Sequence, residues 1–315
     1  VIIKDKTDKK MNINYKVIVL IMLCSIPGFS QQDSQYTQYM YNTMNINPAY
    51  AGQREVLSIF GLHRKQWVGI DGAPSTSTIA AHAPINGTNL GVGISFDNDK
   101  IGPSSESQFT ANVSYRINAS DNYKISFGLN TSISNLKIDY TKLDVYNPDD
   151  VLYQNNINNF SPNFGAGIYL FSDYTYVALS VPSILESKHY KDGEIFSTAK
   201  ERMHFYLMGG HVFEINPSLL FKPSMLVKVV QGVSPQVDLS ANFLINEKFT
   251  AGASYRFGSA FSAMVGFQIT EGLFAGYAYD RETSRIANFS SGSHEFFLRF
   301  EIFEYFDRVV SPRFF

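Results

Sequence analysis

"QFTANVSYRIN", residues 108–118, puts Phe109, Ala111, Val113, Tyr115 and Ile117 on one side of an extended chain and Gln108, Thr110, Asn112, Ser114, Arg116 and Asn118 on the other. A period of two with one wholly apolar face is a β-strand. The pattern recurs in "KISFGLNTSI" (124–133), "QVDLSANFLI" (236–245), "FTAGASYRFG" (249–258) and "SHEFFLRFEIF" (293–303). In a soluble sandwich the polar face meets bulk water and is rich in Lys and Glu. Here it is Ser, Thr, Asn, Gln and Gly with an occasional charge, which suits a crowded polar lumen whose outer face meets lipid.

Composition agrees. Aromatic residues make up 15% of the chain and charged residues only 17%, below the soluble average of about a quarter. After Ser30 no apolar run reaches the roughly 20 residues of a membrane helix. The formal net charge of −2 gives no electrostatic basis for nucleic-acid binding.

Reading outward from 108–118 gives strand cores at 55–66, 75–83, 89–97, 107–117, 123–134, 162–171, 174–181, 202–213, 219–230, 235–245, 248–257, 260–269, 272–280 and 293–302. That is fourteen, an even number, most of them near the 9 to 11 residues that cross a membrane when tilted. Connections after even-numbered strands are short: PINGT, NASD, SD, EINPS, NE and TE. After strands one, three, five, seven and thirteen they are longer, notably 135–160 and 182–201. The expectation is an all-β, transmembrane antiparallel β-barrel of about 14 strands over 54–303, with short periplasmic turns, longer extracellular loops and both termini periplasmic. A C-terminal tail occupies 304–315.

The first methionine is Met11, and residues 1–10 are set aside as upstream sequence. From Met11 a short polar head, an apolar run from Val17 to Ile26 and small residues Gly28 and Ser30 read as a signal peptide over 1–30. The single cysteine, Cys24, lies inside it, preceded by Leu23 where lipidation needs a small residue. The mature chain therefore holds no disulfide.

Catalytic, cofactor and metal assignments are all none. His204 and His211 are seven apart on a strand and so on opposite faces. "DNDKIGPSSESQ" (97–108) begins like a calcium loop but has Gln108 where a bidentate glutamate belongs, and reads as a polar loop. Asp139, Asp144, Asp149 and Asp150 cluster in another loop. Arg116, Asp238, Arg256, Glu295 and Arg299, with Glu301, form an inferred lumen-facing set, read as neutralising one another in preference to filtering ions.

Between the signal and the first strand, "QYTQYMYNTMNINPAYAG" (35–52) has four tyrosines and no charge. Gln35, Gln38, Tyr39, Met40, Tyr41 and Asn42, followed by Asn47, Pro48, Ala49, Tyr50, Ala51 and Gly52, closely resemble the start of the PorP/SprF family of Bacteroidota outer-membrane proteins. "RKQWVGIDGAPST" (64–76), "GVGISFDNDKIGP" (91–103) and "SHEFFLRF" (293–300) also resemble it, and the likeness covers essentially the whole mature chain. It implies a non-enzymatic accessory of the type IX secretion system in the outer membrane. Such a protein assists export or surface anchoring of cargo with a C-terminal sorting domain, of the adhesin and gliding-motility type. Implied partners are that cargo, other type IX components, a periplasmic peptidoglycan-associated anchor and outer-membrane lipid. A diffusion channel or porin-like transporter is the alternative. For 31–53 two readings stand: an unstructured leader, or a periplasmic plug or docking element whose hydroxyls and amides pair with the lumen wall while its rings fill space.

Overall fold

The structure, a computed structural model, describes residues 37–143, 156–185 and 202–303. Its strands are β1 (Leu57–Lys65), β2 (Ser75–Pro84), β3 (Leu90–Ile101), β4 (Ser104–Asn118), β5 (Lys124–Ile138), β6 (Ile157–Phe171), β7 (Thr175–Val181), β8 (His204–His211), β9 (Phe213–Asn216), β10 (Leu219–Val230), β11 (Gln236–Ile245), β12 (Phe249–Arg256), β13 (Ala260–Gln268), β14 (Leu273–Glu282) and β15 (Ser293–Ile302). Each pairs antiparallel with its neighbours, β10 pairs with β11, and β15 returns to β1, so the sheet closes. β8 and β9 flank Val212 and both pair with β10, forming one spanning strand with an irregularity. The barrel thus has fourteen spanning strands.

Its burial is inside out relative to a soluble protein. On β4, Thr110, Asn112 and Ser114 are buried while Phe109, Val113, Tyr115 and Ile117 are exposed. Ile79 and Leu129, at 64% and 62% exposure, likewise face outward. That is stable only where the outer medium is hydrocarbon.

Three boundaries differ from the sequence reading. β3 and β4 run on to Ile101 and from Ser104, joined by Gly102 and Pro103 alone, so 97–108 is a hairpin tip and not a polar loop, and the third strand is not followed by a long connection. The fifth and sixth strands extend likewise, to Ile138 and from Ile157. The connection after the eighth spanning strand shrinks from EINPS to Pro217 and Ser218, because β9 pairs with β10 as far as Asn216. At the same end, β11 and β12 meet at Asn246 and Glu247, both with positive φ (51° and 56°). Two such residues give the turn whose twist matches paired strands. Asp144, Asp149, Asp150, most of 182–201 and the tail 304–315 lie outside the described residues.

Candidate functional site

Residues 37–56 thread the lumen. The path follows from local chemistry. Tyr41 N–H donates to Gln38 O (3.0 Å) and Thr43 Oγ1 to Met40 O (3.1 Å), closing a first turn. A single helical turn, α1 (Thr43–Ile46), ends at Asn47, whose extended backbone (φ −136°) is what the following Pro48 requires. Asn47 Oδ1 then accepts Ala49 N–H (2.9 Å) and caps a 3-10 turn over Pro48–Tyr50. Gly52 leaves with φ +72°, open to glycine at no steric cost.

Toward the long-connection end the segment is latched by charge. Both Glu295 oxygens accept backbone N–H groups, from Thr37 (3.1 Å) and Gln38 (3.0 Å), and Thr37 Oγ1 donates to Asp280 (2.6 Å). Arg64 bridges Asp280 (2.7 Å) and Glu295 (3.1 Å). Arg64, Asp280 and Glu295 are all at most 2% exposed, so this is a buried ion cluster that tolerates no missing partner. The side-chain amide of Gln38, buried beside it, has no hydrogen-bond partner among the described residues.

Further along, apolar packing takes over. The Tyr41 ring lies 4.5 Å from Phe297 and 5.4 Å from Phe274, its hydroxyl donating weakly to Thr250 (3.4 Å). Burial pushes its phenol up to about 12, against the smaller opposing effects of the Thr250 hydrogen bond and of Arg299 and Arg54. Burial also raises the Tyr39 phenol. Asn45 donates to Asp97 (2.8 Å), which also accepts Thr78 Oγ1 (2.6 Å).

The Asn47–Gly52 stretch makes the closest fit. Asn47 Nδ2 donates to Ile168 O (3.0 Å), Ser180 Oγ to Ile46 O (2.8 Å), Ser114 Oγ to Ala51 O (2.7 Å) and Gln53 Nε2 to Ser126 (3.0 Å). Asn47, Ala49 and Ala51 show no exposure. The wall is cut back to admit them: a Cβ on Gly128 would stand 2.1 Å from Ala49 N, and one on Gly167 2.1 Å from Asn47 Oδ1.

At the short-turn rim the segment becomes charged. Arg54 pairs with Glu301, which also lies 3.5 Å from Arg299, and Glu55 accepts from Arg116 (2.7 Å) and Lys124 (3.4 Å). Burial opposes the Arg54 charge, but the Glu301 carboxylate and Tyr50 outweigh it and raise the guanidinium above its ordinary value. Two of the five charges expected in the lumen thus ion-pair with residues absent from that set, Arg116 with Glu55 and Glu295 with Arg64, while Arg299 lies beside Glu301, which also holds Arg54. Asp238 and Arg256 pair with each other at 3.0 Å. Gln35 lies outside the described residues.

Beyond the segment, toward the long connections, lies a cavity of about 560 Å³ with Tyr39, Asn45 and Ile46 among its lining. Asp97, Asp99 and Glu106 line one side of it, and His204, Lys228 and Arg256 come from other strands.

A family model described as "Type IX secretion system membrane protein PorP/SprF" matches residues 28–300. No curated protein matches the sequence. Among solved structures, the chain is similar to the Acinetobacter baumannii outer membrane protein Omp33 at 9% identity, covering 79% of this chain and 100% of that one, with a TM-score of 0.46. For a Pseudomonas aeruginosa FadL homologue the values are 13%, 78%, 88% and 0.44, and for the KdgM porin 9%, 78%, 99% and 0.37.

Proposed function

The chain belongs to the PorP/SprF family of type IX secretion system membrane proteins, and from that membership we propose that it is a non-enzymatic accessory barrel that assists export or surface anchoring of cargo carrying a C-terminal sorting domain. The barrel sits in the outer membrane, with its short turns on the periplasmic side. Cargo, other components of the system and a peptidoglycan-associated periplasmic anchor are its partners. Residues 35–52 serve as plug or docking element, and the lumen charges Arg116, Asp238, Arg256, Glu295 and Arg299 hold that element and one another in place of filtering ions.

One observation carries this reading over a diffusion channel. The lumen is crossed by 37–56, whose polar groups are matched to the wall strand by strand, from Glu295 through Asp97, Ile168 and Ser114 to Ser126. A channel spends its polar lumen on water and solute; this one spends it on its own chain. The decisive test is deletion of the gene followed by proteomics of culture fluid and cell surface. Loss of one or a few exported proteins is expected, and an unchanged exported set would sink the secretion role. In planar bilayers the purified barrel is expected to conduct little, whereas steady conductance from the intact chain would favour the channel.

A further inference from the structure

The outward face of the barrel is not uniform around its circumference. At the long-connection ends of β1, β3 and β5 the outward residues are Lys65, Lys100 and Lys137, all exposed. The pairing registers place them in one continuous row: His294, Lys65, Ser75, Lys100, Ser105, Lys137, Asn158. A lysine thus stands on every second strand with a serine between. The row nearer the short turns is polar and holds no Lys, Arg, Asp or Glu: His63, Ser77, Asn98, Ser107, Asn135. His63 Nδ1 lies 2.9 Å from Ser77 Oγ, and Asn98 donates to Ser107 at 2.8 Å. The next row is apolar beyond Gly61: Ile79, Phe96, Phe109, Ile133.

Apolar, then hydroxyl and amide, then cation matches the order in which a lipid presents acyl chain, sugar or glycerol, and phosphate. No outward residue of β15 or β1–β5 is acidic; the nearest acids among the described loops are Asp71 and Asp139, the latter 3.6 Å from Lys142. Generic snorkelling of lysine to an interface does not account for the pattern. The corresponding outward ends of β8, β10, β11, β12 and β13 are Phe205, Val229, Val237, Tyr255 and Phe261. On β14, next to β15, Arg281 is also exposed, so among the described strand ends the outward cations cluster on the β14–β5 side of the barrel.

We propose that the β15–β5 wall binds a lipid with a phosphate-bearing headgroup, its phosphates held by Lys65, Lys100 and Lys137 and its acyl chains laid on the apolar row below. Strands spaced by about 4.8 Å set successive lysines roughly 10 Å apart. With a strand tilt of about 40° the row climbs by about 6 Å between them, which a lysine side chain spans. The wall suits a headgroup with more than one phosphate. The inference rests on the outer-membrane reading and is independent of what the barrel helps to export.

The test is native mass spectrometry of the full chain in detergent, titrated with diphosphoryl lipid A, its dephosphorylated form and phosphatidylethanolamine, with inorganic phosphate as competitor. Each Lys near an anionic surface strengthens binding about fivefold, so the Lys65→Gln/Lys100→Gln/Lys137→Gln protein should hold diphosphoryl lipid A roughly a hundredfold more weakly. Lys248→Gln, in a short turn, should match wild type. If the triple variant loses the heat-dependent gel mobility of a folded barrel, the three single variants are read instead, each expected to lose about fivefold. Equal retention by wild type and variant, no preference for the phosphorylated lipid, or displacement by inorganic phosphate at equal concentration each overturns the proposal. A folded barrel that fails here but still supports export refutes the lipid site alone.

Discussion

Gly128→Ala adds one methyl group at the seat of the lumen segment. Its Cβ would stand 2.1 Å from Ala49 N, 2.3 Å from Pro48 C and 2.4 Å from Ala49 Cα, all backbone atoms that no rotamer change can move aside. Ordinary contact begins near 3.5 Å, so the Pro48–Tyr50 turn must retreat by more than about 1 Å. That motion stretches the neighbouring hydrogen bonds from Asn47 to Ile168 O, Ser114 to Ala51 O and Gln53 to Ser126. Losing two or three of them at about 1 kcal/mol each destabilises the seated state by roughly 2–3 kcal/mol, a factor of about thirty to a hundred and fifty in the seated-to-released ratio. The wall itself should survive, because Gly128 pairs with Ser114 and Gly167 through its main chain. Two assays report release: openings in planar bilayers, and trypsin cleavage after Arg54, which needs that partly buried, ion-paired residue to come free. A Gly128→Ala barrel that stays as silent and as protected at Arg54 as wild type would refute the close-fit reasoning.

Other outcomes follow from the same contacts. Glu295→Gln removes one charge from the Arg64 cluster and one of two acceptors for the Thr37 and Gln38 amides. By the usual cost of breaking a buried pair it should loosen the start of the segment by about 3–5 kcal/mol, seen as faster amide exchange at Thr37 and Gln38. Deleting 35–50 should raise conductance and impair export together, and no change in either would remove the plug. Tyr41→Phe should cost under about 1 kcal/mol at neutral pH, since the Thr250 bond is long at 3.4 Å. Above pH 10 the two proteins should diverge. An unfolded tyrosine ionises near 10 and Tyr41 only at about 12, so its contribution is complete below pH 10 and is lost as pH rises toward 12. At pH 11 that loss is about 1.4 kcal/mol, measurable as amide exchange of the segment in wild type and absent in Tyr41→Phe.

The strands were legible wherever one face met lipid and the other the lumen, because only there does a period of two appear in side-chain chemistry. Past the lipid, pairing continues while the contrast disappears. Asn98 and Lys100 face outward beside inward Asp97 and Asp99, which is why β3 and β4 read as a loop over 97–108. Val212 broke the eighth strand for a similar reason. It is 2% exposed and its N–H donates to Tyr174 O, so an apolar run gave no sign of the irregularity. Of the charged residues that hold the lumen segment, Arg64 escaped notice because His63, Arg64 and Lys65 are consecutive and the run does not say which one points inward. The glycine seats escaped too. Gly128 and Gly167 sit at inward positions, but a missing side chain signals close approach only once the approaching chain is known.

The latch on 37–56 also has a temporal side. Thr37 and Gln38 bind Glu295 across 258 and 257 residues, Arg54 binds Glu301 across 247, and Asp280 accepts from Thr37 across 243. The first element of the barrel domain to be made is therefore held by the last two strands to be made. Until β15, carrying β14 with it, has docked against β1, the segment lacks the carboxylates of Asp280, Glu295 and Glu301, and closing so long a loop costs entropy that only those late contacts return. Lumen closure is coupled in this way to completion of the sheet: a barrel stalled before its final hairpin lacks the groups that fasten its interior.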